Sequence, residues 1–215
     1  MKSDMVSYYA QRADEYERIY SKPERQDDIL RLKQVLGAMY AGHDVFEVSC
    51  GTGYWTEVIA PTARSVVACD INEAVLAVAR AREWREAQVE FFQADSYALP
   101  HLNNAFSGAF SGFWWSHIPK EKLPSFLSGF HSRLEKGALV TFIDNRYVEG
   151  SSTPISRTDL AGNSFQSRRL GDGSSHEVLK NFPSESELRA AVADVAEAIE
   201  ISLLEYYWML SYRTK

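Results

Sequence analysis

Cysteine is scarce in this chain of 215 residues, with Cys50 and Cys69 the two present. Two thiols are too few for a disulfide framework and read as small buried residues of a reducing, cytoplasmic compartment. No apolar run reaches the ~18 residues that a membrane span needs, and Met1-Lys2-Ser3-Asp4 leads into polar sequence. Neither a membrane contact nor a secretory leader is therefore expected. Histidines, cysteines and acids nowhere fall at metal-ligand spacing, so no metal is expected. An excess of positive charge is missing too. A net charge of -6 gives no general attraction to phosphate backbones, and no basic cluster stands out, which argues against nucleic acid as a partner. What remains is 45% apolar and 24% charged, the balance of one globular domain with a full core.

The chain is organised around Val45 to Thr56, Val-Phe-Glu-Val-Ser-Cys-Gly-Thr-Gly-Tyr-Trp-Thr. An apolar run meets an acid, Glu47, and breaks into Ser49, Cys50, Gly51 and Gly53 before a short helical stretch. That is a strand, a tight turn and a helix, the opening of an α/β nucleotide-binding sheet. Glycine suits a backbone that turns sharply and lies close to a ligand. A second strand, Ser65 to Asp70, ends in an acid about 20 residues after the turn, where ribose hydroxyls are bound in doubly wound sheets. The alternative for Asp70 is a cap on the helix that begins at Asn72, with ribose binding the favoured reading. A third strand, Val89 to Ser96, ends in Asp95 and Ser96, which can read a base edge. Thr56 stands where a dehydrogenase fingerprint needs its third glycine, which argues against a nicotinamide cofactor.

With these elements the sequence resembles the class I S-adenosylmethionine-dependent methyltransferases, from Tyr8 to Tyr212, and among them the bacterial small-molecule enzymes, including phosphonate and carboxylate O-methylating members. Glu47 through Gly53 matches the family's first motif, with Ser49 in the first glycine position. Asp70 matches its ribose-binding acid, and Asp95-Ser96 its adenine-contacting motif. The resemblance implies a Rossmann-like seven-stranded sheet with helices on both faces, an antiparallel last strand, an N-terminal helical lid and a β-hairpin insertion after the fifth strand. It implies S-adenosylmethionine as cofactor, S-adenosylhomocysteine as product, and no metal. The implied cofactor contacts are Glu47, Ser49, Cys50, Gly51, Gly53, Tyr54, Trp55, Asp70, Ile71, Ala94, Asp95, Ser96 and Phe113. From the lid come Tyr9, Arg12 and Tyr16, which share one face of an aromatic-rich helix over residues 7–20. That helix can instead dock by its aromatic face without touching ligand.

The remaining elements follow in order. A helix over residues 24–39 starts after Pro23. Another spans 72–87, with Arg80, Arg82 and Arg85 read as a solvated face paired with Glu83 and Glu86. The fourth strand, residues 106–114, is weakened by Gly108 and Gly112 and lacks the family's usual acid near its start. It leads into Trp114-Trp115-Ser116-His117-Ile118-Pro119. The Asn/Asp-Pro-Pro-Tyr/Phe signature of amino-methylating DNA and glutamine enzymes is absent, and the His-Ile-Pro ending resembles that of small-molecule enzymes. His117 can act as a base, orient the substrate, or bond backbone and line a pocket. One of Trp114 and Trp115 is expected to face in and the other out.

A helix over 120–134 precedes a fifth strand, 138–144. Gly171-Asp172-Gly173-Ser174-Ser175 then marks a hairpin between 165–170 and 176–182. Trp114, Arg146, Arg168, Arg169 and Lys180 are the candidate substrate contacts, the cations holding an anionic group. Ordinary edge-strand charge accounts for the same cations. Ser184 and Glu187 form a capping box for the last helix, and strands 197–205 and 206–212 close the chain. The single domain divides into a lid (1–40), a cofactor-binding core (41–145), a substrate-side hairpin (146–183) and a C-terminal helix with strands (184–215). The expected function is methyl transfer to a small anionic metabolite, O-methylation before N-methylation, by a monomer or homodimer. A non-catalytic cofactor-binding regulator and a protein- or RNA-directed methyltransferase are the alternatives.

Overall fold

A computed structural model describes residues 9, 17, 20–84, 87–102, 105–169 and 173–215. The apolar run before the glycine turn forms β1 (Asp44–Val48), buried along nearly its whole length. Such burial on both faces marks a central parallel strand. It pairs in parallel with β2 (Ser65–Asp70) on one side and β4 (Phe106–Gly112) on the other. β3 (Val89–Gln93) extends the sheet beyond β2, and β5 (Leu134–Asn145) extends it beyond β4.

The hairpin region carries β6 (Arg157–Thr158), β7 (Ser164–Arg169) and β8 (Ser175–Leu179), an antiparallel three-stranded sheet. β9 (Ala196–Leu203) and β10 (Tyr207–Thr214) return to the main sheet, whose order is β3-β2-β1-β4-β5-β10-β9. β10 runs antiparallel to both neighbours. The expected seven-stranded sheet, its antiparallel last strands and the inserted hairpin are all present. β6 was not signalled by the sequence, because two exposed residues carry no periodicity.

Five α-helices cover the sheet among the described residues. α1 (Gln26–Met39), α2 (Thr56–Ile59) and α3 (Glu73–Ala81) lie on one face, where Ile29, Leu36, Ile59 and Leu76 meet Val45, Val66 and Phe110. α4 (Leu123–His131) and α5 (Glu185–Val192) lie on the other, where Phe126, Phe130, Leu188 and Val192 meet Phe46, Val140 and Phe142. Each fully buried aliphatic or aromatic side chain contributes roughly 1.5–3 kcal/mol, so both faces are needed for stability.

Several boundaries differ from expectation for local reasons. α3 stops at Ala81 because Arg82 is extended, and its side chain is drawn elsewhere. The helix expected to reach residue 134 ends at His131, and β5 begins at Leu134, absorbing Gly137 at φ 79. Ser184 forms the expected capping box. Gly108 and Gly112, poor strand residues by propensity, sit within β4 because rings occupy the space of a side chain. A Cβ on Gly108 would lie 3.0 Å from the Tyr40 ring, and one on Gly112 3.2 Å from Trp55. The Tyr40 hydroxyl donates to the Ala109 carbonyl at 2.5 Å, so this close approach also satisfies a buried polar group.

Candidate functional site

The carboxyl ends of β1, β2, β3 and β4 open into a cavity of about 260 Å³. The turn after β1 is built from left-handed residues, with Ser49 at φ 58, Gly51 at φ 57 and Gly53 at φ 79. Serine at the first position therefore adopts a conformation usually left to glycine. Gly53 also needs its lack of a side chain, because a Cβ there would lie 3.2 Å from Trp84.

The two acids of this region do different work. Asp70 lines the cavity and accepts from the Gly51 amide at 3.0 Å and the Asn72 amide at 2.9 Å. Burial raises its carboxyl above the ordinary value, and the backbone amides oppose that rise. The helix cap itself is Asn72, which accepts from the Ala74 amide. Glu47 lies deeper. Its carboxylate accepts from the Thr56 hydroxyl at 2.6 Å, which gives the residue at the missing-glycine position a purpose. Burial pushes the Glu47 carboxyl up to about 8; the Thr56 bond opposes this and the Asp70 charge adds to it.

The N-terminal segment is represented by Tyr9, Glu17 and Tyr20, while Arg12 and Tyr16 lie outside the described residues. Tyr20 stacks on Tyr54 at 4.1 Å and meets Phe113 edge-on. Glu17 accepts from the Thr52 hydroxyl at 2.8 Å and pairs with Arg82, which also donates to the Thr52 carbonyl and to Glu57. The expectation that Arg82 is a solvated residue paired with Glu83 and Glu86 is thus corrected. It ties the N-terminal segment to the glycine turn across long sequence separations. Arg85 and Glu86 lie outside the described residues.

At the far end of the cavity stands His117, buried, with Trp114 beside it. Trp115 points the other way, into the core against Phe142 and Trp208. His117 Nδ1 faces the Leu179 carbonyl at 2.7 Å, and Nε2 faces the Tyr9 hydroxyl at 2.9 Å. A carbonyl only accepts, so Nδ1 carries the proton and Nε2 accepts from Tyr9. Burial holds the imidazole well below its ordinary value, with the charges of Lys180 and Arg168 acting the same way and Asp144 opposing.

The expected substrate cations separate. Arg168 reaches Tyr9 at 3.4 Å and Gln166 at 2.8 Å. Lys180 is buried, donating to Ser116 Oγ at 2.6 Å and Asp144 at 3.0 Å. Arg146 instead binds the Leu204 carbonyl, and Arg169 lies exposed at the end of β7. None of these four expected cations is part of the cavity wall, where Lys122 stands instead.

Of the other expected residues, Gly51, Asp95, Ser96, Ile71, Ser49 and Phe113 line the cavity, whereas Cys50, Gly53, Tyr54, Trp55 and Ala94 do not. Burial raises the Cys50 thiol well above its ordinary value, so it stays neutral. Sequence reasoning missed Phe165 and Leu179, whose apolar side chains were visible only as strand residues, and Asn163, which sits in a loop-like stretch.

Residues 45–137 match a family described as a methyltransferase domain. Demethylmenaquinone methyltransferase of Lactococcus lactis subsp. lactis is 30% identical over 103 residues, 44% of this chain and 40% of that protein. The solved DhpI-SAH complex is 25% identical, with a TM-score of 0.80 over 99% of this chain and 96% of that one. Over residues 45–137 this chain carries a methyltransferase domain of the class I S-adenosylmethionine-dependent kind. A second solved structure, the DhpI-SAM-HEP complex, shares the fold at 24% identity and a TM-score of 0.81. The chain spans about two fifths of the length of the curated methyltransferases it matches. Among the described residues there is neither a metal-holding cluster nor a helix long and apolar enough to cross a membrane.

Proposed function

We propose that the protein transfers a methyl group from S-adenosylmethionine to a small anionic metabolite, with oxygen the favoured acceptor atom. The cavity fits the cofactor on its own geometry. Asp70 is held by two amides with its carboxylate on the wall, Asp95 and Ser96 stand beside it, and Ile71, Val75 and Phe113 supply apolar surface. Asp70 would take ribose hydroxyls, and Asp95 with Ser96 a base edge. When bound, the sulfonium supplies an already activated methyl group. The protein's part is then to align the acceptor, exclude water and manage one proton.

The observation that carries the acidic acceptor is the convergence of two cations on His117. Arg168 reaches it through Tyr9, and Lys180 through the neighbouring Ser116. Both charges act on the imidazole, but Lys180 is already paired with Asp144, so an anion placed there would be favoured chiefly by Arg168. The neutral ring presents Nε2 as an acceptor, suited to orient a hydroxyl or take its proton. Of the carboxylates on the wall, Glu177 is paired with Arg157, while Asp159 and Glu121 accept from the neutral Asn163 amide and keep their charge beside Lys122. The DhpI complex with SAM and HEP, and the demethylmenaquinone methyltransferases, are likewise consistent with a small acceptor.

Methyl-transfer assays over a panel of small acids and their neutral analogues test the reading. Arg168→Met should raise KM for the accepted acid by about 10-fold or more, the loss of one charge-assisted hydrogen bond, with a smaller change in kcat. Turnover confined to neutral acceptors, or an unchanged KM, would sink it.

A further inference from the structure

The end of the hairpin grips the His117 loop through three consecutive residues. The Leu179 carbonyl accepts from His117 Nδ1 at 2.7 Å, and Lys180 donates to Ser116 Oγ at 2.6 Å. Asn181 donates twice to this loop, from its amide to the Ser116 carbonyl at 2.8 Å and from Nδ2 to the Ile118 carbonyl at 3.0 Å, and Nδ2 donates also to Asn163 Oδ1 at 3.1 Å. Each residue of Ser116-His117-Ile118 is therefore held by a hairpin residue. Asn181 is buried, and its Oδ1 accepts from the Ser164 amide at 2.9 Å, so the side chain is itself fixed. It forms no part of the cavity wall.

We propose that Asn181 is a positioning residue that sets the tautomer of His117. Its main-chain amide holds the Ser116 side of the histidine and its side chain the Ile118 side; with the side chain in place Nδ1 stays against the Leu179 carbonyl and Nε2 faces the cavity as an acceptor, where Tyr9 donates to it. A second-layer group that fixes which nitrogen carries the proton also fixes what the other can do. The hairpin is thereby part of the reactive centre as well as a wall for substrate. The proposal rests on the methyltransferase reading only for what Nε2 acts upon. The charged and titratable groups facing the ring are Lys180 beside β8, Arg168 on β7, Asp144 at the end of β5 and Tyr9 of the N-terminal segment.

The test is heteronuclear NMR of the histidine ring nitrogens in the full chain, through a pH titration, for wild type and Asn181→Ala. Wild-type His117 should carry its proton on Nδ1 at neutral pH and show no protonation step near the ordinary value of about 6.5. Asn181→Ala should exchange between tautomers, with its protonation step moved up toward that value. Asn181→Ser, gentler on folding, carries the same expectation. A wild-type ring protonated on Nε2 overturns the proposal without any variant, as do folded variants whose His117 signals match wild type. Calorimetry with S-adenosylhomocysteine on the same samples separates the two ideas. Unchanged affinity beside an altered ring marks positioning, whereas a wild type with no affinity removes the methyltransferase reading and leaves the tautomer result standing.

Discussion

Glu47 and His117 are both buried ionisable residues that burial drives toward their neutral forms, with opposite consequences for charge. For Glu47 the consequence is a cost of folding that depends on pH. Its carboxyl titrates at about 8 in the folded chain against an unfolded value near 4.5, so the folded state holds the extra proton between those values. Stability therefore falls as pH rises through that window and levels off above it. Glu47→Gln keeps an acceptor for Thr56 and removes the titration. It should melt at least about 2–4 °C above wild type at pH 8, corresponding to ~1 kcal/mol or more, with the gap closing toward pH 5. Thermal melts at the two pH values decide this, and a variant equally weakened at both would contradict it.

Among the elements, β4 was the one whose sequence argued against its structure. Its glycines are explained by rings that only the folded chain brings together: Tyr40 comes from the end of α1 and Trp55 from the turn after β1. Gly108→Ala should cost about 1–3 kcal/mol in urea unfolding, by overpacking against Tyr40. The cost should shrink in a Tyr40→Leu background, since the two sites then share no clash. Equal costs in both backgrounds would refute the packing explanation. The hairpin shows the same limit of sequence reading. Its strands were legible from a turn signal, whereas the grip of Leu179, Lys180 and Asn181 on residues 116–118 was not. Partners about 60 residues apart leave no local pattern. Lys180 was visible as a cation, but its burial against Asp144 was not.

Across the molecule, the sheet could be read from the sequence because β1 and β2 are apolar runs closed by a small residue or an acid, and β3 leads into Asp95 and Ser96. Those closures are local. Asp70, Asp95 and the turn from Ser49 to Gly53 all arrive at one sheet edge by topology alone. The short strand β6 of the smaller sheet and the ties from Glu17 to Thr52 and Arg82 depend on packing across the fold, and no periodicity announces them. The central claim is that this sheet edge holds S-adenosylmethionine or its product through Asp70. Calorimetric titration of wild type and Asp70→Ala with S-adenosylhomocysteine tests it most directly. The account predicts saturable binding by wild type and at least ~10-fold weaker binding by the variant, the loss of hydrogen bonds to a charged group. A folded wild type that takes up no S-adenosylhomocysteine would contradict it.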